Sequence, residues 1–142
     1  MAVPPHEFLE AKAQFFDLEP LATDQDAWVT SVAVTLRGIL GSPNSALRER
    51  PQDYRLLVAV DRLREELPAV WVFSPSDDAI QHVNIFRSRE TCPFTGSRLP
   101  LLCWGTTGSA WQHIPRANRS LSNFLEAARQ VLAEANMNSR AR

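Results

Sequence analysis

The sequence predicts an α+β fold whose helices stand apart from an antiparallel strand meander. Three observations lead there. Helical periodicity lies near both ends of the chain, period-two apolar runs fill the middle, and those runs are joined by polar turns rather than by helices. Strands linked by loops argue against a doubly wound parallel sheet, whose crossovers need helices. The chain has 142 residues, which suits a single domain over 1–142.

The first element is a short helix. His6 to Phe16 follows Pro4-Pro5, is rich in helix formers, and places Phe8, Leu9, Phe15 and Phe16 on one stripe; it ends before Pro20. From Trp28 the period changes. Val32, Val34 and Leu36 alternate with Ala33 and Thr35, a half-buried strand that stops near Gly38 or Gly41. Gly41 to Pro51 is polar turn chemistry and reads as a loop. Tyr54 to Val60 is a second strand, Asp61 to Leu67 a helical turn or polar connection ended by Pro68, and Val70 to Phe73 a third strand closed by Ser74-Pro75. Asp77 to Leu102 has little periodicity and carries Pro93 and Gly96, so it reads as an irregular excursion. Leu101 to Gly105 is a short apolar run. Ser120 to Ala135 is the clearest helix, with Leu121, Phe124, Leu125, Ala128, Val131 and Leu132 on one face and Ser120 or Ser122 as N-cap. Residues 136–142 read as a frayed tail.

Composition narrows the function classes. Hydrophobic residues are 44% and charged residues 22%, enough for a core and no case for disorder. The net charge of −1 argues against nucleic acid or an anionic membrane as partner. No stretch reaches the roughly 20 apolar residues of a membrane span. Met1 to Glu10 lacks the basic and apolar regions of a secretory signal. Cys92 and Cys103 are too few for a disulfide framework and are expected to be reduced in a cytoplasmic setting. Of the 15 basic residues 14 are arginine and one is Lys12. A GC-rich coding genome accounts for that skew by itself, yet the skew leaves almost no surface amines.

Cys103 is the first candidate for chemistry. Thiolate attack on an acyl group needs an accessible sulfur near donors, and the adjoining Gly105-Thr-Thr-Gly108 offers backbone amides and hydroxyls. The competing reading is a small buried hydrophobe within Leu101-Leu-Cys-Trp104. His82-Val-Asn84 is the second candidate. An asparagine amide can donate to a developing oxyanion while a histidine braces its loop; the plain alternative is a turn-forming asparagine. Cys92, Cys103, His82 and His113 raise zinc, but the cysteines are 11 positions apart, far from the tight pairs of structural zinc sites. No phosphate loop, paired-carboxylate motif or nucleophile elbow is present, and no cofactor is expected. Trp111 and Pro115 fit core and turn roles. Arg87, Arg89 and Arg98 read as a solvated loop or as a docking surface for an acidic partner.

The order of these features resembles the ubiquitin-conjugating enzyme (UBC) family. In that family a strand meander leads to a His-Pro-Asn tripeptide, an irregular segment, a catalytic cysteine, then a tryptophan, a proline and a helix. His82-Val83-Asn84 resembles the tripeptide and Leu102-Cys103-Trp104 the cysteine motif. Trp111 stands at the family's offset from Cys103, while Pro115 and Ser120–Ala135 resemble the family's proline and helix. Tyr54 to Val60 and Leu67 to Phe73 resemble the strands around the family's Tyr-Pro segment. The resemblance covers Ala27 to Ala135 and is remote. Val83 replaces the central proline, Asn84 and Cys103 stand 19 positions apart, and the C-terminal region holds one predicted helix, as in short bacterial members.

The resemblance implies a UBC-like fold and a transferase that carries a protein C-terminus as a thioester on Cys103. Asn84 and His82 would assist, a separate enzyme would supply activation, and no ATP site is needed here. The implied partners are a ubiquitin-like protein or another protein with an activated C-terminus, an activating enzyme and a protein acceptor. Bacterial members look like parts of anti-phage operons, where the acceptor can be a signalling nucleotidyltransferase. Two other classes compete. One is an inactive UBC-fold binding module, which a buried Cys103 thiol would favour. The other is a small structural or chaperone-like protein with an apolar dimer surface at Trp28 or Trp71.

Overall fold

The computed structural model describes residues 2–40, 51–75 and 84–133. Residues 41–50 of the predicted loop, His82, Val83 and the 136–142 tail lie outside them. The described elements are α1 (Pro5–Gln14), β1 (Glu19–Thr23), β2 (Val29–Ile39), β3 (Gln52–Ala59), β4 (Val70–Ser74), β5 (Ile85–Thr91), β6 (Arg98–Leu102), α2 (Thr106–His113) and α3 (Leu121–Ala133). A 3-10 turn at Arg116–Asn118 precedes α3. The fold is α+β. The six strands form one sheet in the order β1-β2-β3-β4-β6-β5, and every pairing is antiparallel.

The helices α1 and α3 pack on one another, and α3 packs on β2. The six apolar residues of α3 predicted to share one face are all buried there. The Ser120 hydroxyl accepts the Asn123 N–H at 3.2 Å and so caps the helix. Val32, Val34 and Leu36 of β2 and Leu56 and Val58 of β3 meet this face and form the main core. That core begins at Val3, N-terminal to the Ala27 boundary of the resemblance, because Val3 bridges Val29 and Phe8, Ala11 and Leu18 are buried.

Four expectations need correction. The α1 stripe is Glu7, Phe8 and Ala11, continued by the partly buried Phe15, whereas Leu9 and Phe16 are exposed. Positions 8, 11 and 15 advance by helical steps of three and four, and residues 9 and 16 rotate off that line. β1 is a strand that the sequence pattern does not show, since all five of its residues are exposed and it contains Pro20, as suits an edge strand. The expected irregular excursion contains the β5–β6 hairpin. Its register slips between Ile85 and Arg89, which erases the period-two pattern, and Gly96 at φ 74° helps turn the tip. α2 is likewise a helix without a local signal. Thr106-Thr-Gly-Ser109 are poor helix formers, and the one buried residue of the helix is Trp111. Its tertiary packing outweighs local propensity.

The hairpin closes the second face of the sheet. Ala33, Leu57, Trp71 and Leu101 lie in register across four strands, and Cys92, Leu99 and Phe94 pack with them. On the helical side, the buried Glu7 carboxylate pairs with Arg64 and accepts the N–H of Leu121, the first residue of α3, at 3.3 Å. A carboxylate there satisfies an orphan helix donor and complements the helix dipole. Arg119 binds the same region by donating to the carbonyls of Ile114, Arg64 and Gln112. Glu7→Ala strands the Arg64 charge beside that helix start, and the expected loss of stability is about 3 kcal/mol. Urea unfolding reads it; a loss below about 0.5 kcal/mol would show the pair to be as weak as an exposed one.

Candidate active site around Cys103

Cys103 directly succeeds β6 and precedes α2, whose N-cap is Gly105 at φ 57°. The residues before and after the cysteine are anchored. Leu102 is buried in the main core beside Ile85, its strand partner. The Trp104 indole donates to the Pro68 carbonyl at 3.3 Å, and its ring stands 5.3 Å from that of Phe124 on α3. Trp111 on α2 also meets Phe124, edge-on at 5.7 Å. Cys103 forms no disulfide, and the residue is partly exposed. A nucleophile requires a fixed backbone and a reachable sulfur, and the anchored neighbours supply the first of these.

Asn84 is brought to the same place. The hairpin absorbs the separation of 19 positions and returns the chain so that the Cys103 N–H donates to the Asn84 carbonyl at 2.7 Å. The asparagine side chain points elsewhere. It is 6% exposed, and its Nδ2 donates to the Val131 carbonyl in the last described turn of α3 at 2.9 Å. No sequence signal announces this contact, because it joins residues 47 positions apart.

The Gly105–Gly108 stretch, expected to offer backbone amides and hydroxyls near the sulfur, opens α2. The Thr107 and Gly108 amides donate to the Trp104 and Gly105 carbonyls at 3.1 and 3.2 Å. Gly108 is a site of close approach, since an added Cβ would stand 3.1 Å from Trp104 Cβ and 3.3 Å from Leu67. The anchoring role of Trp104 is legible in the sequence only as part of an apolar run.

The other candidates separate. Cys92 is 0% exposed at the hairpin tip, where its N–H donates to Ser97 and its carbonyl accepts from Gly96. His113 is exposed at the end of α2 and Pro115 precedes the 3-10 turn. Among the described residues no three His, Cys, Asp or Glu side chains come close enough to hold a metal ion. Arg98 is exposed and donates to the Arg89 carbonyl at 2.7 Å; the Arg87 side chain lies outside what is described. Among the described residues no helix is long and apolar enough to cross a membrane.

Two clefts lie elsewhere. One of about 360 Å³ is lined by Phe15, Phe16, Asp17, Leu36, Arg37 and Arg129 among others, and one of about 290 Å³ by Ile39, Leu40, Glu126 and their neighbours. Neither is lined by Cys103 or Asn84. In the first cleft the hydrogen bond from Arg37 holds the Asp17 carboxyl below the usual carboxylate range, so the pair is an exposed ion pair rather than an acid–base group.

No protein-family model, no curated protein and no solved structure matches the chain.

Proposed function

We propose that the chain is a UBC-like carrier of a protein C-terminus, held as a thioester on Cys103 and passed to an amine. The observation that carries this reading is the hydrogen bond between the Cys103 N–H and the Asn84 carbonyl. It joins the two residues that resemble the family's site, across a gap that sequence alone left open. In the first step the Cys103 thiolate attacks the activated carbonyl carbon. The sulfur–carbon bond forms as the bond to the activating group breaks. In the second step an amine attacks the same carbon, the sulfur–carbon bond breaks, the thiolate leaves and a proton passes to solvent. The thioester already stores the activation, so the protein's work is placement and stabilisation of the tetrahedral intermediate.

The carried group is a ubiquitin-like protein or another protein with an activated C-terminus. A separate activating enzyme supplies it, and the acceptor is a protein amine in a bacterial anti-phage setting, a signalling nucleotidyltransferase being one candidate. Two features favour this reading over its rivals. Partial exposure of Cys103, where Cys92 is fully buried, weighs against an inactive binding module. Trp71 is covered by the hairpin cluster and 8% exposed, which weighs against an apolar dimer surface there. The test is incubation with an activating enzyme and ubiquitin-like protein from neighbouring genes, and then non-reducing electrophoresis. A thiol-sensitive band is the expected result, and its absence with active partners would exclude the reading.

The single lysine bears on side reactions. Any self-conjugate must use Lys12, the N-terminal amine or a cysteine. The Lys12 ammonium donates to the Phe16 and Leu18 carbonyls at 3.1 and 2.7 Å, closing the end of α1. An ammonium held as a donor is a poor nucleophile. Lys12→Arg is therefore expected to leave any self-conjugate unchanged on peptide mapping; its disappearance would make Lys12 the acceptor.

A further inference from the structure

We propose that Asn84 is a positioning residue that couples the last described turn of α3 to Cys103 through the main chain. The inference rests on the reading of Cys103 as the acyl carrier and names how that site is held. Its basis is a pair of hydrogen bonds on opposite ends of one residue. The Asn84 carbonyl accepts from the Cys103 N–H at 2.7 Å, while its side-chain amide donates to the Val131 carbonyl at 2.9 Å.

The direction of the second bond is dictated by chemistry. A backbone carbonyl can only accept, so the asparagine must present its NH2 group, and its amide plane is fixed by that demand. The contact is buried at both ends, with Asn84 6% and Val131 3% exposed. A buried polar bond of this kind is costly to break, because the carbonyl left behind has lost a donor that water cannot readily replace. Next to it, Ile85 and Leu102 pair across the hairpin base and are buried in the same core as Val131. Asn84 therefore spans from the helix to Cys103, the residue that directly follows β6. Its amide serves the helix in this arrangement rather than the sulfur, so its influence on the thiol passes through the Cys103 backbone.

The test uses the whole chain without any partner. Amide hydrogen exchange is measured for the wild type, Asn84→Ala and Asn84→Asp, with the Val32 and Leu56 amides of β2 and β3 as reference. Both variants are expected to speed exchange at the Cys103 amide about tenfold or more relative to those reference amides. Asn84→Asp should be the worse of the two, because an ionised carboxylate facing a carbonyl opposes acceptor to acceptor. The rate of Cys103 alkylation by iodoacetamide should change with it, whereas a contact that merely stabilises the fold would move all amides together and leave that rate alone. An exchange ratio within about twofold of wild type overturns the proposal. Where Asn84→Ala fails to fold, Asn84→Ser keeps a hydroxyl donor, and the same ratio is read with an intermediate effect expected. Exchange that changes as stated while no variant or wild type forms an adduct removes the carrier reading and leaves the coupling standing.

Discussion

Cys103→Ala is expected to abolish any reducing-agent-sensitive adduct, and Cys92→Ala to leave it intact. The two thiols differ in the one property that matters for attack. Cys103 is partly exposed at the junction of β6 and α2, whereas Cys92 is 0% exposed and packed with Ala33, Leu57, Trp71 and Leu99. A buried thiol in an apolar cluster behaves as a small hydrophobe. Removing the Cys92 sulfur should cost about 1 kcal/mol, the scale of one buried methylene-sized group, which the fold can absorb. Removing the Cys103 sulfur deletes the atom that would form the thioester. Adduct loss in Cys92→Ala, with the protein still folded, would place the nucleophile in the hairpin tip.

Phe124→Ala is expected to cost about 3–5 kcal/mol of stability and to lower Tm by roughly 10–15 °C. Phe124 is fully buried and its ring contacts two indoles, Trp104 at 5.3 Å and Trp111 at 5.7 Å. Aromatic contacts of this geometry add to the burial itself. The cavity would open beneath both the residue after Cys103 and the only buried residue of α2, so the fold and the site should weaken together. Against a typical total of about 5–15 kcal/mol, such a loss is a large fraction. Urea unfolding measures it, and a loss below about 1 kcal/mol would mean that the ring cluster is not what holds α2 in place.

Much of the fold is legible in the sequence where one face of an element is buried. The α3 face comes through in full because six apolar residues recur at helical spacing. β2, β3 and β4 come through because their residues alternate or run apolar against the core. The elements that escape the pattern share a physical origin. β1 is exposed throughout, the hairpin's register slips, and α2 depends on one tryptophan docking on a distant helix. Each is fixed by tertiary contact, which local pattern does not encode. The site divides the same way. Cys103 is visible as a cysteine beside a glycine-opened segment, and Asn84 as part of a tripeptide. Their juxtaposition depends on the hairpin, and the bond from Asn84 to Val131 depends on how α3 lies across the sheet.

The most direct measurement is the intact mass of the chain purified under non-reducing, acidic conditions from cells that also express its neighbouring genes. The expected result is a protein-sized adduct that maps to Cys103 and is released by a small thiol or by hydroxylamine, as a thioester is. An adduct on Cys92, or one that resists both reagents, would contradict a Cys103 thioester, as would a chain that stays unmodified beside an active activating enzyme and its ubiquitin-like protein.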